Sequence, residues 1–336
     1  MTEYLGEILN QYDGRVVIAQ NHNSTNSDIT SEKINLAQKD FIDDPKLRHR
    51  LLILPERENY GHTLLDIQET IRPGDILVAA GGDGTASSAA LSIMGHTDKE
   101  VRKTPLLILP GGNANLGSND LLSKQGRNVP LLQLLGGGKI IDFKPMSLTI
   151  YNPLLDGPRL DLAFFISGLG APARAEYELE RRRNKLMRKN SVTRLAVDGI
   201  SLISGAIKQN RDPIYFSVNG EEYEGAGILT SNVNRYAKVL PTPTSTKEEG
   251  FESLVFPNDK LSTELIIASK ALLGRLEWHR TEADQVLEIG VISKPGQVVD
   301  YETDAEPRSL PSHKSEEVRT RIVQEVHHES IKMITF

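Results

Sequence analysis

Gly81-Gly82-Asp83-Gly84-Thr85 gathers the residue types that handle phosphate. Glycines let a backbone approach its ligand closely, and the amides that open a helix point outward toward anions. A carboxylate beside phosphates is repelled unless a cation lies between them, so Asp83 in this company points to Mg²⁺ and a nucleotide. A second glycine stretch, Pro110-Gly111-Gly112-Asn113-Ala114-Asn115, adds two carboxamides able to fix a nucleotide. The polar run Gln20 to Ser27, which includes Asn21, suits phosphate contact and plain turn chemistry equally well. Asp304 and Glu306 read as two acids on one face of an extended segment, a pattern that is commonly only solvated.

The elements that must position these groups are legible from apolar runs and breakers. Ile76 to Ala80 reads as a buried strand emptying into the first glycine loop, and the small, Pro-free stretch Ala86 to Met94, closed by Gly95, reads as the helix that follows. Arg15 to Ala19, Leu51 to Leu54, Pro105 to Leu109 and Ile140 to Phe143 are further strand candidates. Asp28 to Lys39 and Gly61 to Ile71 read as helices, with Leu116 to Leu135 helical in parts and Gly136-Gly137-Gly138 as its stop signal. Strands alternating with helices imply a parallel α/β sheet, whose loops at the carboxyl ends of adjacent strands share one crevice. Both glycine loops fall at such ends.

Bulk properties narrow the classes. A chain of 336 residues is long for one core, so two domains are expected. A net charge of −6 argues against a general nucleic-acid surface. With no cysteine, thiolate metal sites, disulfides and cysteine nucleophiles are excluded. Residues 1 to 14 lack a basic n-region and no apolar run reaches membrane-spanning length, so the reading is a cytoplasmic protein with at most peripheral membrane contact. Arg181-Arg182-Arg183-Asn184-Lys185 and the residues to Lys189 form a basic run on an amphipathic helix pattern. Such a run either docks on anionic lipid or is a solvated face balanced by Glu176, Glu178 and Glu180.

The ordered set of motifs resembles the diacylglycerol kinase catalytic-domain family, which includes bacterial lipid kinases and sphingosine kinases and belongs to an NAD kinase-like superfamily. Gly81 to Thr85 is identical to the family's nucleotide-loop motif, and Pro110 to Asn115 is similar to its Pro-x-Gly-Thr-x-Asn loop, with Asn113 in the threonine position. Ile141-Asp142 resembles an Ile-Asp whose acid belongs to a metal-linked network with the motif aspartate. Lys247-Glu248-Glu249-Gly250-Phe251-Glu252 resembles a metal-associated segment, and Asp304-Ala305-Glu306 the family's Asp-Gly-Glu. Departures are Leu116 where an aspartate is usual, Pro55 close to where many members place a threonine after the second strand, and a first loop lacking the usual glycine and basic residue.

The resemblance implies a Rossmann-like parallel-sheet nucleotide domain over residues 1–141. A β-sandwich-like, β-rich lipid-substrate domain would follow over 142–317, with the site in the cleft between and 318–336 packing back on the first domain. It implies an ATP-dependent, Mg²⁺-requiring kinase acting on a membrane lipid hydroxyl, with Glu306 as general base and Asp83 positioning the triphosphate. Asp142 and Glu249 would serve the metal; Gly81, Gly82, Gly84, Thr85, Gly111, Gly112, Asn113, Asn115 and Asn21 would serve the nucleotide. Arg181, Arg182, Arg183 and Lys185 would meet the membrane. The identity of the lipid and any homo-oligomer stay open. Two other readings stand beside this one: a non-catalytic lipid- or nucleotide-binding relative, motivated by the departures, and an NAD kinase, which shares the pentapeptide.

Overall fold

The structure, a computed structural model, describes residues 7–24, 26–55, 60–112, 115–123, 125–174, 213–233, 235–236, 240–243, 249–257, 278–304 and 306–336. It divides into two compact units, Met1–Lys144 with His328–Phe336, and Pro145–His327.

The first unit alternates helices and strands: α1 (Glu7–Gln11), β1 (Val16–Gln20), α2 (Ser27–Asp43), β2 (Leu51–Ile53), α3 (Tyr60–Thr70), β3 (Ile76–Gly81), α4 (Asp83–Met94), β4 (Leu106–Pro110), α5 (Leu116–Leu121), α6 (Leu131–Gly137) and β5 (Lys139–Phe143). All six residues of β3 are buried, as befits a central parallel strand covered on both faces. β3 pairs in parallel with β1 and β4, which carries the apolar ladder Val16, Ile18, Val78, Leu107 and Leu109 through one core. α4 packs close because its inner face is Ala86, Ala89, Ala90 and Ile93, all almost fully buried, and small side chains let a helix approach a sheet.

The second unit is built from strands. In chain order these are β6 (Met146–Tyr151), β7 (Arg159–Ala163), β8 (Ile166–Gly170), β9 (Ile214–Val218), β10 (Glu221–Ser231), β11 (Arg235–Tyr236), β12 (Leu240–Pro241), β13 (Phe251–Pro257), β14 (His279–Thr281), β15 (Val286–Ser293), β16 (Asp300–Thr303), β17 (Glu306–Ser309) and β18 (Val318–Val326). Apart from the small β11–β12 pair, the described strands form one antiparallel sheet ordered β17-β16-β8-β10-β9-β15-β18-β6-β7, with β13 and β14 branching from β10. Inward residues from distant strands of that sheet, among them Leu148, Phe216, Ile228, Phe251, Tyr301 and Ile322, meet in one cluster, so the sheet folds over on itself.

The chain then returns to the first unit as β19 (Ile331–Thr335), which inserts between β4 and β5 to give the order β2-β1-β3-β4-β19-β5. The return is shorter than expected. β18 alternates buried and exposed residues and pairs with β15 and β6 inside the second unit, so only residues 328–336 go back, not 318–336. Among the described residues no helix is long and apolar enough to cross a membrane.

Candidate functional site

Three loops leave the carboxyl ends of the adjacent strands β1, β3 and β4, and hydrogen bonds tie them into one cluster. The amides of Gly111 and Gly112 both donate to the Gly81 carbonyl, at 2.7 and 3.1 Å. Asn21 donates its backbone amide to Ala80 at 2.9 Å and its carboxamide to the Thr85 hydroxyl at 3.1 Å. Asn26 donates its amide to the Gly111 carbonyl and its Nδ2 to the Gly112 carbonyl, each at 2.7 Å.

Glycine is required here by proximity. A methyl on Gly112 would lie 2.4 Å from the Gly82 Cα, and one on Gly81 would lie 2.4 Å from the Thr85 hydroxyl. The two glycine loops therefore touch backbone to backbone, which no side chain allows.

Asp83 is the first residue of α4, after Gly82 at the N-cap, and is only 7% exposed. A carboxylate there is favoured by the helix dipole, and the first-turn amides around it have no carbonyl partner within the helix. Its Oδ1 accepts the Gly117 amide at 3.1 Å, so it also caps α5. Asn115 precedes α5 in the left-handed region, φ 52°, and closes the second loop on itself: its Oδ1 accepts from the Gly112 amide at 2.7 Å while its Nδ2 donates to the Gly112 carbonyl at 2.9 Å. The carboxamide read as a nucleotide contact is thus engaged by the loop. Leu116, at the position of the usual acid, is buried, and Asp120 one turn later is buried as well.

The cluster collects Gly81, Gly82, Asp83, Gly84, Thr85, Gly111, Gly112, Asn115 and Asn21; Asn113 lies outside the described residues. Asp142 is not part of it. It is exposed on the edge strand β5, which is reached from β3 only across β4 and β19, about 14 Å away at ordinary strand spacing. Moreover, Asp142 faces Lys332, next to the Met333 that pairs with Leu106, so it sits level with the start of β4, at the opposite end from the loops. The metal-linked network expected between Asp83 and Asp142 does not form.

Two residues of the Gln20 to Ser27 run, weighed as a whole for phosphate contact and not singled out within it, stand out here. Asn26 occupies the N-cap position of α2, yet its side chain makes no cap and reaches across to the second glycine loop instead. An asparagine just before a helix was the available signal. The hydroxyl of Ser24 is buried with no partner among the described residues, and it sits where a methyl on Gly111 would come within 3.0 Å of it. A buried hydroxyl beside helix-opening amides fits a phosphate oxygen, so the residues present suit a nucleotide's phosphates. No group of three or more acids or histidines that could hold a metal occurs among the described residues. One carboxylate, Asp83, with phosphate oxygens and water completing the shell, is the usual arrangement for Mg²⁺.

In the second unit the two acids of the Asp-Ala-Glu segment differ. Asp304 is no solvated strand residue. It is 2% exposed, adopts φ 53° at the turn of the β16–β17 hairpin, and accepts the amides of Phe164, Phe165 and Ile166 at 2.7, 2.6 and 3.1 Å. Glu306 opens β17 opposite Thr303. Glu302, which the motifs passed over, is fully buried against Gly168, where a methyl would lie 2.6 Å from its Oε1. Glu249 is exposed, and its carbonyl accepts Arg280 Nη2 at 2.7 Å. The basic run Arg181, Arg182, Arg183 and Lys185 lies outside the described residues.

Known proteins resemble this chain in sequence over its first part and in fold over nearly all of it. The family described as "Diacylglycerol kinase catalytic domain" matches residues 17–146. Among curated proteins none matches. A structure from Bacillus anthracis strain Sterne, titled as a candidate diacylglycerol kinase, aligns with TM-score 0.62 at 16% identity, covering 96% of this chain and 97% of its own. Another from the same organism, titled a diacylglycerol kinase, aligns with TM-score 0.58 at 15% identity over the same shares. Yeast NADH kinase complexed with NADH aligns with TM-score 0.51 at 13% identity, covering 96% of this chain and 83% of its own. These structural likenesses speak for the fold, a parallel α/β unit followed by an antiparallel β unit. The sequence match is narrower in extent: residues 17–146, with Gly81 to Thr85 and Gly111 to Asn115 inside them, are similar to the diacylglycerol kinase catalytic domain.

Proposed function

We propose that this protein is an ATP-dependent, Mg²⁺-requiring lipid kinase that phosphorylates the hydroxyl of a diacylglycerol-like or sphingoid-like lipid. The observation that carries the reading is the buried Asp83 at the opening of α4, inside three loops whose glycines leave room only for backbone. Phosphoryl transfer needs positioning and charge stabilisation more than covalent chemistry. The α4 amides and dipole attract phosphate oxygens, the Ser24 hydroxyl donates to one of them, and Asp83 holds the second loop in register through Gly117. Mg²⁺, when bound, neutralises charge on the phosphate oxygens. Glu306 takes the acceptor hydroxyl's proton as the oxygen attacks, a role typically worth about 10²-fold to 10⁴-fold. Arg181, Arg182, Arg183 and Lys185 dock the protein on anionic lipid.

The test is transfer of label from ATP, with Mg²⁺, to a panel of lipids and to NAD. Label in a lipid that is lost in Glu306→Gln supports the proposal. Label in NAD instead selects the NAD kinase reading, and ATP binding without transfer to any acceptor selects the non-catalytic one, which the buried Leu116 favours.

A further inference from the structure

One short segment, residues 161–166, holds the hairpin that carries Glu306 at two points on either side of it. At the turn, the amides of Phe164, Phe165 and Ile166 enclose the Asp304 carboxylate. Beyond the turn, Asp161 binds both strands at once. Its Oδ2 accepts the Tyr301 hydroxyl of β16 at 2.7 Å, and its Oδ1 accepts Arg308 Nη1 of β17, also at 2.7 Å. Tyr301 and Arg308 are cross-strand partners, so a single carboxylate pins one rung of the hairpin. Arg159 adds a contact to Asp161 at 3.2 Å and lies 5.9 Å from the Tyr301 ring. Asp161 is 8% exposed and Tyr301 2%, so the charge-assisted bond between them lies in a dry setting, with Arg308 half-buried and Arg159 exposed beside it. Burial and the bond to Asp161 keep the Tyr301 hydroxyl protonated, pushed up to about 12.

Glu306 is therefore bracketed: Asp304 two residues before it and Arg308 two residues after it are both fixed to segment 161–166. An anchored turn alone leaves a strand free to fray from its other end, whereas two anchors four residues apart fix the backbone between them. β17 is only four residues long and lies at the end of the order of the described strands, so among these it has ladder pairing on one side.

We propose that Asp161, with Tyr301 and Arg308, is a positioning group for the general base: it sets the strand on which Glu306 sits and acts on phosphoryl transfer only through that residue. The inference rests on the lipid kinase reading for its catalytic half, while its structural half stands without it. Positioning errors near 1 Å at a reacting group cost about 10²-fold in rate.

The experiment compares wild type, Asp161→Asn, Tyr301→Phe, Arg308→Ala and Arg308→Lys, each alone and with Glu306→Gln. It uses labelled ATP, Mg²⁺ and phosphatidylglycerol vesicles carrying diacylglycerol or sphingosine, with amide hydrogen exchange of residues 300–309 read in parallel. Asp161→Asn is expected to lower kcat by about 10²-fold with the KM for ATP unchanged. Exchange should quicken in the hairpin and not in β1, β3 or β4. Arg308→Lys, which retains a cation for Asp161, should recover part of the rate lost without it in Arg308→Ala, and Tyr301→Phe covers the case in which Asp161→Asn fails to fold. In the Glu306→Gln background Asp161→Asn should have no further effect on the residual rate.

A residual rate lowered as far as in wild type, or full kcat with a loosened hairpin, overturns the positioning role. Unchanged exchange in the hairpin overturns the clamp itself. Wild-type protein that labels neither lipid overturns the kinase reading and the catalytic half together, and the exchange comparison then decides the structural half alone.

Discussion

The Asp83 carboxylate accepts the Gly117 amide at 3.1 Å, so the acid read as facing the phosphates is also the cap that joins the first glycine loop to the second. The two roles separate by substitution. Asp83→Asn retains an oxygen acceptor for Gly117 and is expected to unfold in urea near wild type, while transfer falls by at least about 10²-fold for want of the charge. Asp83→Ala should lose ~2 kcal/mol in addition, because the Gly117 amide is then buried without a partner. An Asp83→Asn protein as active as wild type would remove Asp83 from the chemistry.

Gly112→Ala places a methyl 2.4 Å from the Gly82 Cα, a contact with backbone that no rotamer relieves. It is expected to destabilise by about 1–3 kcal/mol and to weaken ATP binding at least tenfold, since the loops must part. Gly157→Ala meets nothing within 4 Å and serves as the control, expected within about 0.5 kcal/mol of wild type. Urea titration and nucleotide binding by calorimetry read both.

Asn26→Ala removes the donor to the Gly112 carbonyl while leaving the backbone bond to Gly111. The expected cost is about 1 kcal/mol in stability, with a raised KM for ATP and little change in kcat, because the tether shapes the loops and touches no reacting atom. Asn26→Asp should be worse than Asn26→Ala, since a carboxylate would then oppose the carbonyl. If the two behave alike, the carboxamide is not the tether.

Tyr301 supplies a pH signature. Its hydroxyl is pushed up to about 12 by burial first and by the bond to Asp161 second, whereas an unfolded tyrosine titrates near 10. Since the folded value is the higher one, the contribution is complete below pH 10 and is lost as pH rises from 10 through 12, on the order of 2 kcal/mol. Wild type should therefore lose thermal stability over that window more steeply than Tyr301→Phe. Parallel melting curves of the two proteins would exclude this coupling.

Arg181, Arg182 and Arg183 each contribute about 1 kcal/mol near an anionic surface if they dock the protein. Their joint reversal to Glu is expected to cut sedimentation with phosphatidylglycerol vesicles by about 10²-fold or more and to leave ATP binding unchanged. Undiminished sedimentation of a folded triple variant removes the basic run from membrane docking.

Where these groups lie was legible in the sequence when it depended on neighbours along the chain. The apolar run Ile76 to Ala80 ending in glycine did become a fully buried strand, and Asp83 opens the helix that follows. The loop after Leu109 lies beside it because consecutive strands in alternating α/β segments pair side by side. Asn26 and Asp304 were less legible. Asn26 looks like an ordinary turn or cap residue, and Asp304 like a solvated acid on an extended segment, until the far partner is known, 86 residues away for Asn26 and about 140 for Asp304.

By itself, then, the amino-acid order determined the glycine loops, the strand and helix that hold them, and the likeness of residues 17–146 to the diacylglycerol kinase catalytic domain, because the motifs behind each are encoded within short stretches of chain. Only the tertiary structure decided that Asp142 lies on an edge strand at the wrong end of the sheet, that Val318–Val326 stays in the β unit, and that Asp161 and Asp304 hold the hairpin bearing Glu306. Those outcomes depend on strand order and on carboxylates meeting amides from distant segments. Local pattern carries no record of which far strand a segment will lie against.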